Sequence, residues 1–156
     1  MIEHLTREEA TALLTAGSFG HIGCNDGFNT YVYPSNYVLA GNYIVCHSLP
    51  GARIAIMRLN RKVCLQVDEI KDAYNWKSVM VQGRYEEVKD ARERYQAIKA
   101  FAEHGMHLKA STEALAADSG QLRRQSLQQK MKLVIYRICI EEITGRGEKG
   151  NGFVSN

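Results

Sequence analysis

The side chains best placed to do chemistry lie where the apolar run Tyr43-Ile44-Val45-Cys46-His47 breaks into Ser48-Leu49-Pro50-Gly51-Ala52-Arg53. A strand giving way to a helix at this point would leave unpaired backbone N–H groups and the positive end of a helix dipole at the junction. His47 can donate a ring N–H, Ser48 offers a hydroxyl, and the Arg53 guanidinium can grip two phosphate oxygens at once. These are the components of a phosphate site, and equally those of a Ser-capped helix with a surface arginine. The charge distribution bears on the choice. No acidic residue occurs between Asp26 and Asp68, whereas Arg53, Arg58, Arg61 and Lys62 all fall there. Of the formal net charge of +3, four positive charges thus sit in residues 27–67, and the remainder of the chain nets −1. Four cations are too few for a nucleic-acid surface, which needs a basic face that tracks many phosphates, but they suit one small anion.

A second feature is Tyr31-Val32-Tyr33-Pro34-Ser35-Asn36-Tyr37. Pro34 removes a ladder donor from an otherwise alternating strand, which places that strand at a sheet edge or beside something other than a strand. A flat heterocycle against the backbone and a bulged edge strand both satisfy this. Other patterns fail. Gly145-Arg146-Gly147-Glu148-Lys149-Gly150 matches a dinucleotide fingerprint in letters only, since no helix and acidic residue can follow in the six residues that remain. His104 and His107 are spaced like a metal pair, but Gly105 ends the helix between them and no ligand set is completed, so no metal is expected. No nucleophile–base pair is found and no catalytic residue is assigned.

The elements that must position these groups follow from local pattern. Thr6-x-x-Glu9 is a capping box for a short helix ending at Gly17. Phe19–Cys24 and Thr30–Leu39 read as strands about the Asn25-Asp26-Gly27 turn, and Tyr43–His47 as a third strand completing a meander. A helix capped by Ser48, with Pro50 in its first turn, runs to Asn60. Strands follow over Lys62–Val67 and Trp76–Val88, then an Asp90-capped helix to Gly105, a polar and weakly helical stretch over residues 107–130, and a strand over Lys132–Ile143. Hairpins dominate and strands do not alternate with helices, so the expected fold is mainly β: a small antiparallel barrel with flanking helices. One domain is expected over residues 1–146, with a flexible Gly-rich tail at 147–156.

At 45% hydrophobic and 24% charged the composition is that of a globular chain. It has no secretory h-region and no apolar run of membrane-spanning length, so a cytoplasmic protein is expected. Cys24, Cys46, Cys64 and Cys139 show no metal spacing, and each sits in an apolar run, which suggests buried reduced thiols.

Val32-Tyr33-Pro34-Ser35-Asn36-Tyr37, then Val45 through Arg53 with the helix to Asn60, then Trp76-Lys77-Ser78-Val79-Met80-Val81-Gln82-Gly83-Arg84, resemble the FMN-binding split β-barrel of the pyridoxamine 5′-phosphate oxidase superfamily. With Ile143-Thr144-Gly145-Arg146, the likeness is closest to its nitroimidazole-resistance (Nim-type) branch and spans roughly residues 5–146. The resemblance implies a homodimer with FMN, or alternatively FAD, between two chains. It implies that His47, Ser48 and Arg53 hold the phosphate with backbone amides near Gly51 and Ala52. By the same likeness Val32, Tyr33, Pro34, Ser35 and Asn36 line the isoalloxazine ring, and Trp76, Lys77 and Ser78 approach it. The implied activity is the reduction of a nitro-heterocycle or another flavin-mediated two-electron transfer to a small substrate, with the redox chemistry supplied by the flavin. The segment by which true pyridoxamine phosphate oxidases read pyridoxal phosphate has no counterpart, so that activity is not expected. Two other classes compete: a non-catalytic flavin or haem carrier or sensor, with His47 the first haem candidate, and a cofactor-free interaction module.

Overall fold

The computed structural model describes residues 1–105 and 133–150; the polar stretch 107–130, His107 and residues 151–156 lie outside the described residues. Local signals act where they stand in the chain. The Thr6 hydroxyl accepts the Glu9 N–H at 3.1 Å while the Glu9 carboxylate accepts the Thr6 N–H at 2.9 Å, starting helix α1 (Arg7–Ala16). Strands β2 (Phe19–Asn25) and β3 (Thr30–Asn36) pair in antiparallel register from Phe19 opposite Asn36 to Asn25 opposite Thr30. The Asp26 carboxylate closes their turn by accepting the N–H groups of Phe28 and Asn29, both at 2.8 Å, with Gly27 at φ 97°.

The expected Thr30–Leu39 strand divides at Tyr37. Its N–H turns to Ser18 O and its hydroxyl donates to Leu14 O at 2.7 Å, so the chain leaves β3 and starts afresh as β4 (Val38–Ala40). This overturns the three-strand meander. Strand β5 (Tyr43–Ser48) pairs with β4 and with β8 (Val134–Glu148) instead of β3. Helix α2 (Ala52–Leu59) leads to the long hairpin β6 (Lys62–Asp72) and β7 (Asn75–Glu87), and helix α3 (Ala91–Glu103) is capped by Asp90. The all-antiparallel sheet runs β3-β2-β6-β7-β8-β5-β4, with β1 (Ile2–His4) also on β8, and curls into a half-barrel.

Inside the curl, Ile22, Leu65, Val79, Val81 and Ile138 pack against Leu14 of α1 and Met57 of α2. A second cluster, Val45, Ile135, Ala97 and Phe101, seats α3 on the other face of β5 and β8. Tyr136 is fully buried in the first cluster and its hydroxyl has no partner among the described residues. Cys24 and Cys46 are buried as expected, whereas Cys64 and Cys139 are only half-buried; all four are free thiols.

Strand β8 continues through Gly145 to Glu148, two residues into the stretch expected to be a tail. A Cβ on Gly145 would lie 3.0 Å from Leu5 and one on Gly147 2.8 Å from the Trp76 carbonyl, so these glycines permit close packing. No helix among the described residues is long and apolar enough to cross a membrane.

Candidate functional site

The three helices of the described residues start in two different ways. α1 and α3 have side-chain caps and acidic residues in their first turns, whereas α2 begins at Gly51 with no side-chain cap and no acidic residue in its first turn. Ser48, expected to be the cap, is instead the last residue of β5 and donates its hydroxyl to Leu49 O at 2.9 Å. The strand runs one residue past His47, and Leu49 and Pro50 are spent on the turn. The first N–H groups of α2 are therefore unanswered by any side chain among the described residues, at the positive end of the dipole.

Arg53, in the first turn of α2, is half-buried. Its Nη1 donates to the Pro34 carbonyl at 3.1 Å and its guanidinium lies 4.9 Å from the centroid of the Tyr33 ring. The structure thus brings Tyr33, Pro34 and Arg53 together, joining two stretches of sequence nineteen residues apart. Pro34 pairs with His21 of β2, and β3 is the last strand of the sheet, so the proline sits on an edge as its chemistry requires. Alternation along β3 divides its residues: Val32, Pro34 and Asn36 are exposed, while Ser35 is buried with its hydroxyl donating to Asn36 O at 2.9 Å.

His47 lies elsewhere. Its neighbour Cys46 faces the barrel core, whereas the His47 ring stands edge-on to Phe101 of α3, centroids 4.8 Å apart. No hydrogen bond joins it to Ser48 or Arg53 among the described residues. Burial holds its pKa below the ordinary 6.5. The unfolded chain therefore takes up a proton near pH 6.5 that the folded chain resists, and stability is lost as pH falls below that value. Wild-type protein is expected to show a declining urea midpoint between pH 7 and pH 5.5. His47→Leu, which keeps an apolar contact to Phe101, should flatten that decline; an unchanged slope would remove His47 as its source.

Ser78 belongs to a different surface. On the outer face of the sheet, Val32, His21, Gln66, Ser78, Met80 and Arg146 line a groove of about 730 Å³. Register accounts for it: Pro34, His21, Gln66, Met80 and Thr144 form one cross-strand row, and Asp68, Ser78, Arg146 and His4 another. The Gln66 amide donates to Ser78 Oγ at 3.0 Å and also to Asp68. Val32 and Ser78 thus border one groove, which His21, Gln66 and Arg146, the last residue of the Ile143–Arg146 match, also line. Their polar alternation on β2 and β6 was visible in the sequence, but only the strand order puts them side by side. Trp76 and Lys77 line a neighbouring groove of about 330 Å³, with the Trp76 indole donating to Glu148 at 3.2 Å.

The local positive charge is also resolved. Arg58 pairs with Glu87 of β7, an acid from outside the acid-free stretch, whereas Arg53 has no carboxylate partner among the described residues. Within that same set no cluster of His, Cys, Asp and Glu could hold a metal ion.

The sequence pattern of the pyridoxamine 5′-phosphate oxidase family matches residues 6–147. The chain belongs to that family. It is similar to an FAD-binding protein of Mesorhizobium loti, 31% identical, with a TM-score of 0.74 and 96% of this chain covering 99% of that one. An FAD-binding protein of Mycobacterium smegmatis, 19% identical at a TM-score of 0.65 and covering 94% and 98% of the two chains, shares the fold. An uncharacterised protein of Rhizobium meliloti (strain 1021) is 39% identical over 84 residues, 54% of this chain and 56% of that relative, so the match spans about half its length.

Proposed function

We propose that this chain is a flavin-binding oxidoreductase of the pyridoxamine 5′-phosphate oxidase type. The flavin phosphate would lie at the start of α2, and the ring would pass the β3 edge toward the outer groove. The observation that carries this reading is the uncapped, acid-free start of α2 with Arg53 held against the Pro34 edge. A phosphate there would receive backbone N–H groups and a guanidinium, and an edge strand carrying proline leaves room for a flat heterocycle. Arg53, Gly51 and Ala52 are the assigned phosphate contacts, and Val32, Pro34, Asn36 and Ser78 the ring contacts. His47 and Ser48 would help the phosphate only after leaving the partners they have here. When bound, the flavin supplies two-electron transfer, and the side chains named bind and orient it.

The riboflavin phosphate unit is common to FMN and FAD, and both relatives named as FAD-binding make FAD a genuine arm of the test. The finer reading is a homodimer, with the second copy covering the outer groove, that reduces a small nitro-heterocycle. Purified protein should take up FMN or FAD in equilibrium dialysis and show a flavin visible spectrum. Protein that binds neither would sink the proposal. Adding reduced nicotinamide cofactor and a nitroimidazole then separates enzyme from sensor, since bound flavin that never cycles would identify a carrier. Packing of the His47 ring on Phe101 favours flavin over a His47-ligated haem.

A further inference from the structure

We infer that Tyr33 is a positioning residue for Arg53, restraining the guanidinium at the start of α2 without neutralising it; this rests on the flavin reading above. Four of the described arginines show two ways of being held, and Arg94, on the Val88 and Leu133 carbonyls, shares the second of them. Arg58, Arg84 and Arg137 lie against carboxylates, on Glu87, Glu141 and Glu86, so their charge is largely spent within the fold. Arg53 is held by neutral groups only: the Tyr33 ring at 4.9 Å and the Pro34 carbonyl at 3.1 Å.

A guanidinium has five N–H donors, and the carbonyl takes one, so four remain for an anion while the positive charge is undiminished. The attraction of a cation to an aromatic face fixes position with no opposing charge. The ring is itself fixed. Tyr31 stacks on Tyr33 with planes 8° apart and centroids separated by 6.2 Å, and the Tyr31 hydroxyl donates to Asp26 at 3.1 Å. Asp26 is anchored by the Asn29 and Phe28 N–H groups at the hairpin turn. A line of contacts thus runs from the β2–β3 turn along β3 to the arginine. An arginine ordered in advance loses less side-chain freedom when it meets its anion, and that saving appears as affinity.

The test is an FMN and FAD titration of wild type, Tyr33→Leu, Tyr33→Phe, Arg53→Ala and the Tyr33→Leu/Arg53→Ala double variant. Tyr33→Leu should weaken binding about two- to fivefold, the range for a partly exposed cation–aromatic contact. Tyr33→Phe, which keeps the ring, should restore wild-type affinity. In the Arg53→Ala background, Tyr33→Leu should change nothing further. Where Tyr33→Leu does not fold, Tyr33→Met gives bulk without a ring and takes its place. Independent, additive losses, or a Phe variant as weak as Leu, would overturn the positioning role alone. Wild-type protein that binds neither flavin would overturn the flavin reading and this inference with it.

Discussion

Arg53→Ala is expected to weaken flavin binding by about 1.5–3 kcal/mol, roughly ten- to 150-fold, the range for a hydrogen bond to a charged group. The site contains other donors, the N–H groups at the start of α2, so binding should be weakened and not abolished. Salt dependence gives a second readout. Wild-type affinity should fall as ionic strength rises, and the variant should fall less steeply because one cation no longer faces the phosphate. The folded state loses only the contacts to the Pro34 carbonyl and the Tyr33 face, both partly exposed, so unfolding should shift by less than about 1.5 kcal/mol. Affinity must therefore fall further than stability. Equal flavin affinity in variant and wild type would return Arg53 to the role of a surface side chain that straps α2 to β3.

This prediction was partly legible in the residues alone, because the absence of acids between Asp26 and Asp68 isolates Arg53 from nearby carboxylates in the chain. Proximity in sequence is what such a reading can see. It found the Thr6 and Asp90 caps and the Asp26-Gly27 turn, each closed within three residues. It failed where distant partners decide. Glu87 comes from twenty-nine residues away to take Arg58, and Tyr37 ends β3 because Leu14 and Ser18 offer it acceptors from the α1 side. Strand β1 has three exposed residues and no periodicity to read; only its register with Arg146, Gly147 and Glu148 creates it. The candidate site divides along the same line. Arg53 and Pro34 were identifiable by type, but that they touch, and that His47 instead faces α3, follows from strand order.

The outer groove illustrates the same dependence. Val32 and Ser78 lie forty-six positions apart and border one groove only because β2 and β6 stand between their strands in an order no local pattern encodes. Its floor is kept low by Gly23, where a Cβ would come within 2.6 Å of the Cys64 sulfur.

Gly83→Ala is expected to destabilise the fold by about 3 kcal/mol, the upper part of the range for forcing atoms into a packed core. Gly83 sits at the one-residue slip in the β7–β8 ladder, where Gln82 pairs with Glu142 but Gly83 pairs with Ile140, leaving Glu141 as the extra residue. That slip presses the Cys139 carbonyl toward β7. A Cβ on Gly83 would stand 2.4 Å from that oxygen and 2.6 Å from Ile138 Cγ2. Neither obstacle can give cheaply, since one is backbone and the other belongs to a fully buried side chain. Relief would require shifting β8, which also carries β5 and β1, so the cost cannot stay local. The urea midpoint should drop by about 1–2 M at an unchanged slope. Gly51→Ala is the matched control, because a Cβ there meets nothing nearer than 4.0 Å and its backbone is extended; its midpoint should stay with the wild type. If both variants unfold at the wild-type midpoint, the bulge is not the tight junction described, and the half-barrel must tolerate a looser β7–β8 seam.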